Sequence, residues 1–221
     1  VPDEYATIQP AINAAHDGAE VRVAPGGGNG ENGAYMEDIN FNGKNISLIG
    51  DPDDPTSVVI DGNQNGSVVT FENWETNDAI LTGFTITNGT GTDFNDGGGR
   101  RGGGVYSQPS SPTITYCIFR GNDADDGGAI HSRAPEGEMT SISIQNCQIF
   151  DNNTNSGGTI ILARSEVVIY NTEITNNVGY QGAAIDCYWS DVTISNCTIA
   201  NNIASENHNG GTIWSFMSEV D

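Results

Sequence analysis

Apolar and polar residues alternate along this chain in bursts of a few residues, as in Ile185 and Cys187, then Val192 and Ile194, then Cys197 and Ile199. Alternation at period two predicts short strands with one face turned inward. The segments "NISLIG", "AILTGF", "TITYCIF", "SISIQNCQIF", "VVIYNTEIT" and "VTISNCTIA" align through Leu48, Leu81, Ile114, Ile144, Ile169 and Ile194, at steps of 33, 33, 30, 25 and 25 residues. Periods of roughly 20 to 50 residues belong to solenoids and arrays. Strands this short, returning in the same direction one unit later, predict parallel stacking with three strands per rung, six complete rungs and a partial seventh. At ~4.8 Å per rung the rod would be about 30 Å long.

The opening segment follows a different period. In "YATIQPAINAAHDG", Ile8, Ile12 and Ala15 share one helical face and Gly18 follows as a stop, which predicts an amphipathic cap over about residues 5–17 on the first end of the stack. At the other end, "GGTIWSFMSEVD" opens a seventh rung and is expected to stop before its second strand. An open end of that kind predicts either a longer solenoid of which residues 1–221 are a fragment, or end-on self-association extending to filaments. Asn146, Asn171 and Asn196 share one rung position, and Asn122, Asn152, Asn177 and Asn202 share another. Both columns are expected at left-handed corners, with side chains bonded up the stack. The near-repeats "GGAIHS", "GGTIIL", "GAAIDC" and "GGTIWS" read as scaffold, so chemistry is sought between them.

Composition narrows the partners. The formal net charge is −22 with seven basic residues, of which Lys44 is the single lysine, and such a surface repels nucleic acid and anionic membranes. No cofactor is required on this reading; calcium is the ligand that the charge admits. No apolar run reaches the roughly 18 residues of a membrane helix, and no signal peptide opens the chain. Residues 1–221 read as a single all-β domain without a linker. The four cysteines are too few for a disulfide-built scaffold. Cys117, Cys147 and Cys197 fall in one inward column with Thr172 and are expected as reduced, buried thiols.

The stretches "TIQPAINAAHDGAEVRVAPG", "VVIDG" and "GFTITNG" resemble the amino-terminal part of right-handed parallel β-helix proteins of the pectin-lyase-like superfamily, and the resemblance spans nearly the whole chain. The later "GGAI" and "NC-x-I-F" units are similar to repeats of polymorphic outer-membrane proteins and of large secreted bacterial surface proteins. The resemblance implies a right-handed β-helix that is secreted or held at a bacterial cell surface. Two excursions depart from it: a Gly/Asn-rich insert before Tyr35, and the loop "GTDFNDGGGRRGGG" at residues 91–104. Loops leaving a rigid solenoid are where function concentrates.

Enzymes of that superfamily cut acidic polysaccharides, which implies carboxylates and a basic residue near the sugar. Arg120, His131, Asp123 and Asp151 are the candidates for such a catalytic group. Asp123, Asp125 and Asp126 of "DADD" are candidate calcium ligands, since hard cations want several oxygens from a short stretch. Alignment through Val105, Ile130, Ile160, Ile185 and Ile213 gives an outward column of Tyr106, His131, Ile161, Asp186 and Trp214, flanked by Gln108, Arg133, Ala163, Tyr188 and Phe216. Tyr106, His131, Tyr188, Trp214 and Phe216 are candidate ligand-binding residues, able to stack on sugars or anchor a protein, unless a loop buries them. Two functions follow: a surface module with a structural, adhesive, assembly or glycan-binding role, or a polysaccharide lyase or hydrolase. Outward basic residues are scarce beyond Arg100, Arg101, Arg120 and Arg133, which favours the module.

Overall fold

The computed structural model describes residues 1–93, 97–180, 182–204 and 211–221. Residues 94–96 of the 91–104 loop, and Gly210 at the head of the fourth near-repeat, lie outside the described residues. The chain coils into a parallel β-solenoid of about seven turns. Three long sheets form its walls. Sheet I carries Ile130–Arg133, Ile160–Ala163 and Ile185–Tyr188. Sheet II carries Thr140–Gln145, Ser165–Tyr170 and Asp191–Ser195, and sheet III Gln148–Phe150, Glu173–Thr175 and Thr198–Ala200. The register follows the sequence alignment: Leu48 pairs with Leu81, Leu81 with Ile114, Ile114 with Ile144, Ile144 with Ile169 and Ile169 with Ile194.

A fourth, narrow sheet corrects the expectation of three strands per rung. Asp123–Ala124, Asn153–Thr154, Val178–Gly179 and Ile203–Ala204 stack in it. Two-residue strands are too short to show a period in sequence. The last turn is also longer than expected, because Glu219–Val220 pairs with Asp191 and Val192 and so begins the second strand.

The core is one apolar column, with Leu48, Leu81, Phe84, Ile114, Phe119, Ile144, Ile160, Ile169 and Ile185 all fully buried. Cys117, Cys147 and Cys187 are buried free thiols and Cys197 is partly buried. Burial pushes the Cys147 and Cys187 thiols up to about 12, so they pack as small hydrophobes.

Helix α1, Ile8–Ala14, is shorter than the span of 5–17 expected for the cap. Charged groups from the first rungs set its length. The Glu37 carboxylate accepts from the backbone N–H groups of Ile8 (2.8 Å) and Gln9 (3.0 Å), at the positive end of the helix. The Lys44 ammonium donates to the carbonyls of Ile12, Asn13 and Ala15 at 2.8, 2.6 and 2.7 Å, at the negative end. Ile8 and Ile12 are fully buried beneath this clasp. No helix of the described residues is long and apolar enough to cross a membrane.

The two asparagine columns differ in role. Asn146, Asn171 and Asn196 occupy left-handed corners between sheets II and III, as expected. Asn122, Asn152, Asn177 and Asn202 do not; the left-handed residues are their predecessors Gly121, Asp151, Asn176 and Asn201. The second column instead points inward and forms a hydrogen-bonded ladder. Asn122 Nδ2 donates to Asn152 Oδ1 (3.0 Å), Asn152 Nδ2 to Asn177 Oδ1 (3.0 Å) and Asn177 Nδ2 to Asn202 Oδ1 (2.9 Å).

Candidate functional site

The near-repeats acquire a physical meaning on the outer face of sheet I. In the first three, the leading glycine folds back over the side chain four residues on. A Cβ on Gly127 would lie 2.9 Å from the His131 Cβ, and one on Gly157 would lie 2.7 Å from Ile161 Cδ1. Gly182 donates its N–H to Asp186 Oδ1 in the same way. The second glycine serves the stack, since a Cβ on Gly128 would meet the Asn153 carbonyl oxygen at 2.3 Å. The outward column is therefore covered by its own approach segments. Tyr106 (4% exposed), His131 (3%), Ile161 (5%) and Asp186 (0%) are buried, so for Tyr106 and His131 the structure shows the burial that the sequence held open beside a stacking role.

The candidate residues separate into different places. Tyr106 and His131 stack on each other, with ring centroids 5.7 Å apart and planes 17° from parallel. Tyr188, Trp189, Trp214 and Phe216 form a second aromatic group: Tyr188 and Trp214 are 5.0 Å apart, and Trp189 meets Phe216 edge-on at 5.6 Å. Arg120 lies on sheet III, where it lines a groove with Asp61, Thr87 and Asn88. His131 belongs to sheet I and Asp151 to an exposed corner after sheet III. The proposed catalytic group is therefore divided: register places Arg120 beside Phe150 and the Asp151 corner, Asp123 follows in the narrow sheet, and His131 belongs to another wall.

The "DADD" carboxylates also part company. Asp123 takes the Arg100 guanidinium (3.1 Å) and the Asn153 amide (2.8 Å). Asp125 accepts from the Arg100 backbone N–H (2.8 Å) and lies 3.6 Å from its Nε, and these contacts hold its carboxyl below the usual range. Asp126 faces elsewhere. Among the described residues no group of three or more His, Cys, Asp or Glu side chains is arranged to hold a metal ion.

Asp126 faces a cleft of about 180 Å³ lined by Arg101, His131, Arg133, Ile161, Ala163, Arg164, Tyr188 and Trp189 as well. Four successive rungs build it. The 91–104 loop delivers Arg101 through an antiparallel hairpin, Thr92–Asp93 with Arg100–Arg101, whose end bridges to Asp126. Register then stacks Arg133, Ala163 and Tyr188 along one edge. Arg164 and Trp189 occupy the corner between sheets I and II, both left-handed (φ 56° and 50°), and the Arg164 guanidinium sits 4.9 Å over the Trp189 ring.

Burial dominates the electrostatics of the cleft. It lowers the His131 imidazole to about 3, helped by the positive charges of Arg101 and Arg133, so the ring is neutral at physiological pH. The His131 Nδ1 has no hydrogen-bond partner. Burial raises the Asp126 carboxyl above its ordinary range, against the pull of Arg101. Asp186, behind the cleft, is pushed up to about 7 by burial, with backbone N–H groups of Gly182 and Gly158 opposing and Asp126 adding repulsion.

Sequence reading missed Arg164 and Trp189. The available signal was their place at the end of the sheet I burst, in a corner where a small or amide residue is most comfortable. Basic residues are scarce along the sequence, yet three of the seven meet at this one cleft. Comparison with known protein families, with curated proteins and with solved structures returns no match.

Proposed function

We propose that this solenoid is an extracellular or cell-surface module that recognises glycans through the sheet I cleft. The observation that carries the reading is the pairing of Tyr188 and the half-exposed Trp189 as cleft walls on a rigid stack. Aromatic faces beside polar groups suit the apolar faces and hydroxyls of sugar rings. At about 180 Å³ the cleft is smaller than the ~300 Å³ at the lower end of enclosed ligand pockets. It fits one residue of a polymer whose remainder lies outside. The repetitive scaffold and the formal net charge of −22 suit an assembly or adhesive protein exposed to solvent.

Calorimetric titration of residues 1–221 with a panel of soluble oligosaccharides tests this reading. Binding by at least one of them, weakened tenfold or more by Trp189→Ala, is the expected result. A panel without binding, or binding indifferent to Trp189, overturns it.

The enzymatic alternative has one observation in its favour, the Asp126 carboxyl that burial raises where it faces the arginines, since a carboxyl that holds its proton more tightly suits acid–base work. Incubation with acidic and neutral polysaccharides decides between the two. Unsaturated products or new reducing ends, lost on Asp126→Asn, establish turnover; their absence leaves the binding module.

A further inference from the structure

We infer that the exposed turn at Asn65–Gly66 is a site of spontaneous self-modification, in which Asn65 becomes aspartate or isoaspartate and loosens the anchor of the hairpin that carries Arg101. The inference goes beyond the binding reading and does not depend on it. The backbone nitrogen of Gly66 attacks the side-chain carbonyl carbon of Asn65, and the N–Cγ bond forms as the Cγ–Nδ2 bond breaks. The Gly66 amide proton passes through water to the departing nitrogen, which leaves as ammonia. Water then opens the cyclic imide: addition at the side-chain carbonyl gives aspartate, and addition at the main-chain carbonyl gives isoaspartate. No electrons are transferred, and water is the one co-reactant.

Asparagine followed by glycine is open to this attack because no side chain shields the nucleophilic nitrogen. The pairs are Asn29–Gly30, Asn32–Gly33, Asn42–Gly43, Asn65–Gly66 and Asn88–Gly89, with Asn209–Gly210 outside the described residues. In four of the five described pairs the glycine N–H is tied down. Gly30 donates to the Ala34 carbonyl (2.8 Å), Gly33 to the Gly30 carbonyl (3.2 Å), Gly43 to Glu75 Oε1 (2.7 Å) and Gly89 to Asn122 Oδ1 (3.0 Å). Gly66 N–H donates to no group among the described residues.

Room to reach the attacking geometry separates the pairs in the same way. A Cβ on Gly66 would meet nothing nearer than Thr92 Oγ1 at 3.7 Å, whereas one on Gly30 would lie 2.7 Å from Met36 Cγ and one on Gly43 3.2 Å from Asn73 Cβ; Gly33 and Gly89 are pressed against the backbone of Gly26 and Gly103. Side-chain tethers do not account for the difference. Asn65 Nδ2 donates to Asp38 Oδ2 at 2.8 Å, and Asn42 and Asn88 carry comparable bonds of 3.0 and 2.7 Å to Asn13 and Asp61.

Conversion changes what the turn holds. It removes the donor to Asp38 and sets a second carboxylate beside a carboxyl that burial already raises above its ordinary range. Isoaspartate also lengthens the backbone by a methylene. The Gly66 carbonyl accepts from the N–H groups of Thr90 (2.8 Å) and Gly91 (3.1 Å), and Ser67 Oγ donates to the Arg101 carbonyl (3.1 Å). A displaced turn therefore releases both feet of the hairpin Thr92–Asp93 with Arg100–Arg101.

Incubation of residues 1–221 in warm, mildly alkaline buffer tests the inference, with peptide mapping by mass spectrometry to follow the amide-to-acid mass gain and chromatography to separate isoaspartate. A sample kept in denaturant gives the rate of each pair without the fold. The expected result is comparable rates for all pairs in denaturant, and in the folded protein conversion of Asn65 at least about tenfold faster than that of Asn42 or Asn88. Gly66→Ala, for which the turn has room, slows it without lowering the melting temperature. Asn65→Asp reproduces one product and is expected to speed amide exchange at Thr90 and Gly91 while leaving the sheet II amides of Leu81 and Ile114 protected. Folded-state conversion of Asn65 no faster than that of Asn42 and Asn88 overturns the modification site. Unchanged exchange at Thr90 and Gly91 in Asn65→Asp, and in the converted protein, overturns its effect on the hairpin.

Discussion

Replacing Asn152 by alanine tests whether the inward ladder holds the rungs together. The Asn152 Oδ1 accepts from the Asn122 backbone N–H at 3.1 Å and from Asn122 Nδ2 at 3.0 Å. Its Nδ2 faces three acceptors, the Phe119 and Phe150 carbonyls and Asn177 Oδ1, at 3.0 to 3.1 Å. Two protons serve two of these at a time, so four hydrogen bonds disappear with the side chain. Asn122 is 1% exposed, and water cannot replace the acceptor its N–H loses. One orphaned N–H at about 1–3 kcal/mol, with three further bonds at about 0.5–1.5 kcal/mol each and partial relaxation, gives a loss of about 3–5 kcal/mol. Asn171→Ala is the comparison. That side chain is exposed, makes one ladder bond of 2.7 Å to Asn146, and sits at φ 48°, where alanine costs about 1–2 kcal/mol. Urea denaturation gives both values, and amide exchange at Asn122 localises the damage. A loss at Asn152 no larger than at Asn171 would refute the reasoning, and so would an Asn122 amide that stays protected.

Three other outcomes follow from the geometry. Lys44→Met removes three hydrogen bonds from the exposed end of α1 and is expected to cost about 1–2 kcal/mol; faster exchange at the Ala15 amide, with the rung amides unchanged, is the check. Gly128→Ala drives a Cβ to 2.3 Å from the Asn153 carbonyl and is expected to destabilise by several kcal/mol, whereas Gly137→Ala, with open space around it, costs about 1 kcal/mol through its φ of 86° alone; thermal melts of the pair suffice. Asp186 binds its proton more tightly folded (about 7) than its ordinary value of 3.8. Its contribution is therefore complete below pH ~4 and is lost as pH rises through about 7. Asp186→Asn should flatten that slope, and an unchanged pH profile of stability would contradict the assignment.

The sequence made the walls of the solenoid legible because their rule is local and periodic. Alternation names the inward residues, and recurrence of Leu48, Leu81 and Ile114 aligns them. Residues whose role depends on a neighbouring rung were harder to read. Nothing local distinguishes Asn146, at a left-handed corner, from Asn152, in the inward ladder. Tyr106 and His131 alternate outward correctly, yet the fold-back at Gly102 and Gly127 buries them, and that turn leaves only a pair of glycines as its trace. The near-repeats were read as scaffold, whereas His131 inside one of them helps to form the cleft wall. Arg101, Arg133 and Arg164 lie far apart along the chain and meet only when rungs stack.

The stacking register also separates two properties on which selection acts. Each of the later rungs repeats after 25 residues, from Ile144 to Ile169 to Ile194, with its ladder asparagine, corner and inward column in place. Duplication or deletion of one such 25-residue block outside the cleft keeps every column in phase. Insertion of a single residue within a strand turns its inward face outward. The cleft depends instead on residues that do not repeat: Arg101, Arg133, Arg164 and Trp189 occur once each in their columns. Whole blocks can therefore be gained or lost without altering the cleft, and the cleft can change by point substitution without altering the length of the rod.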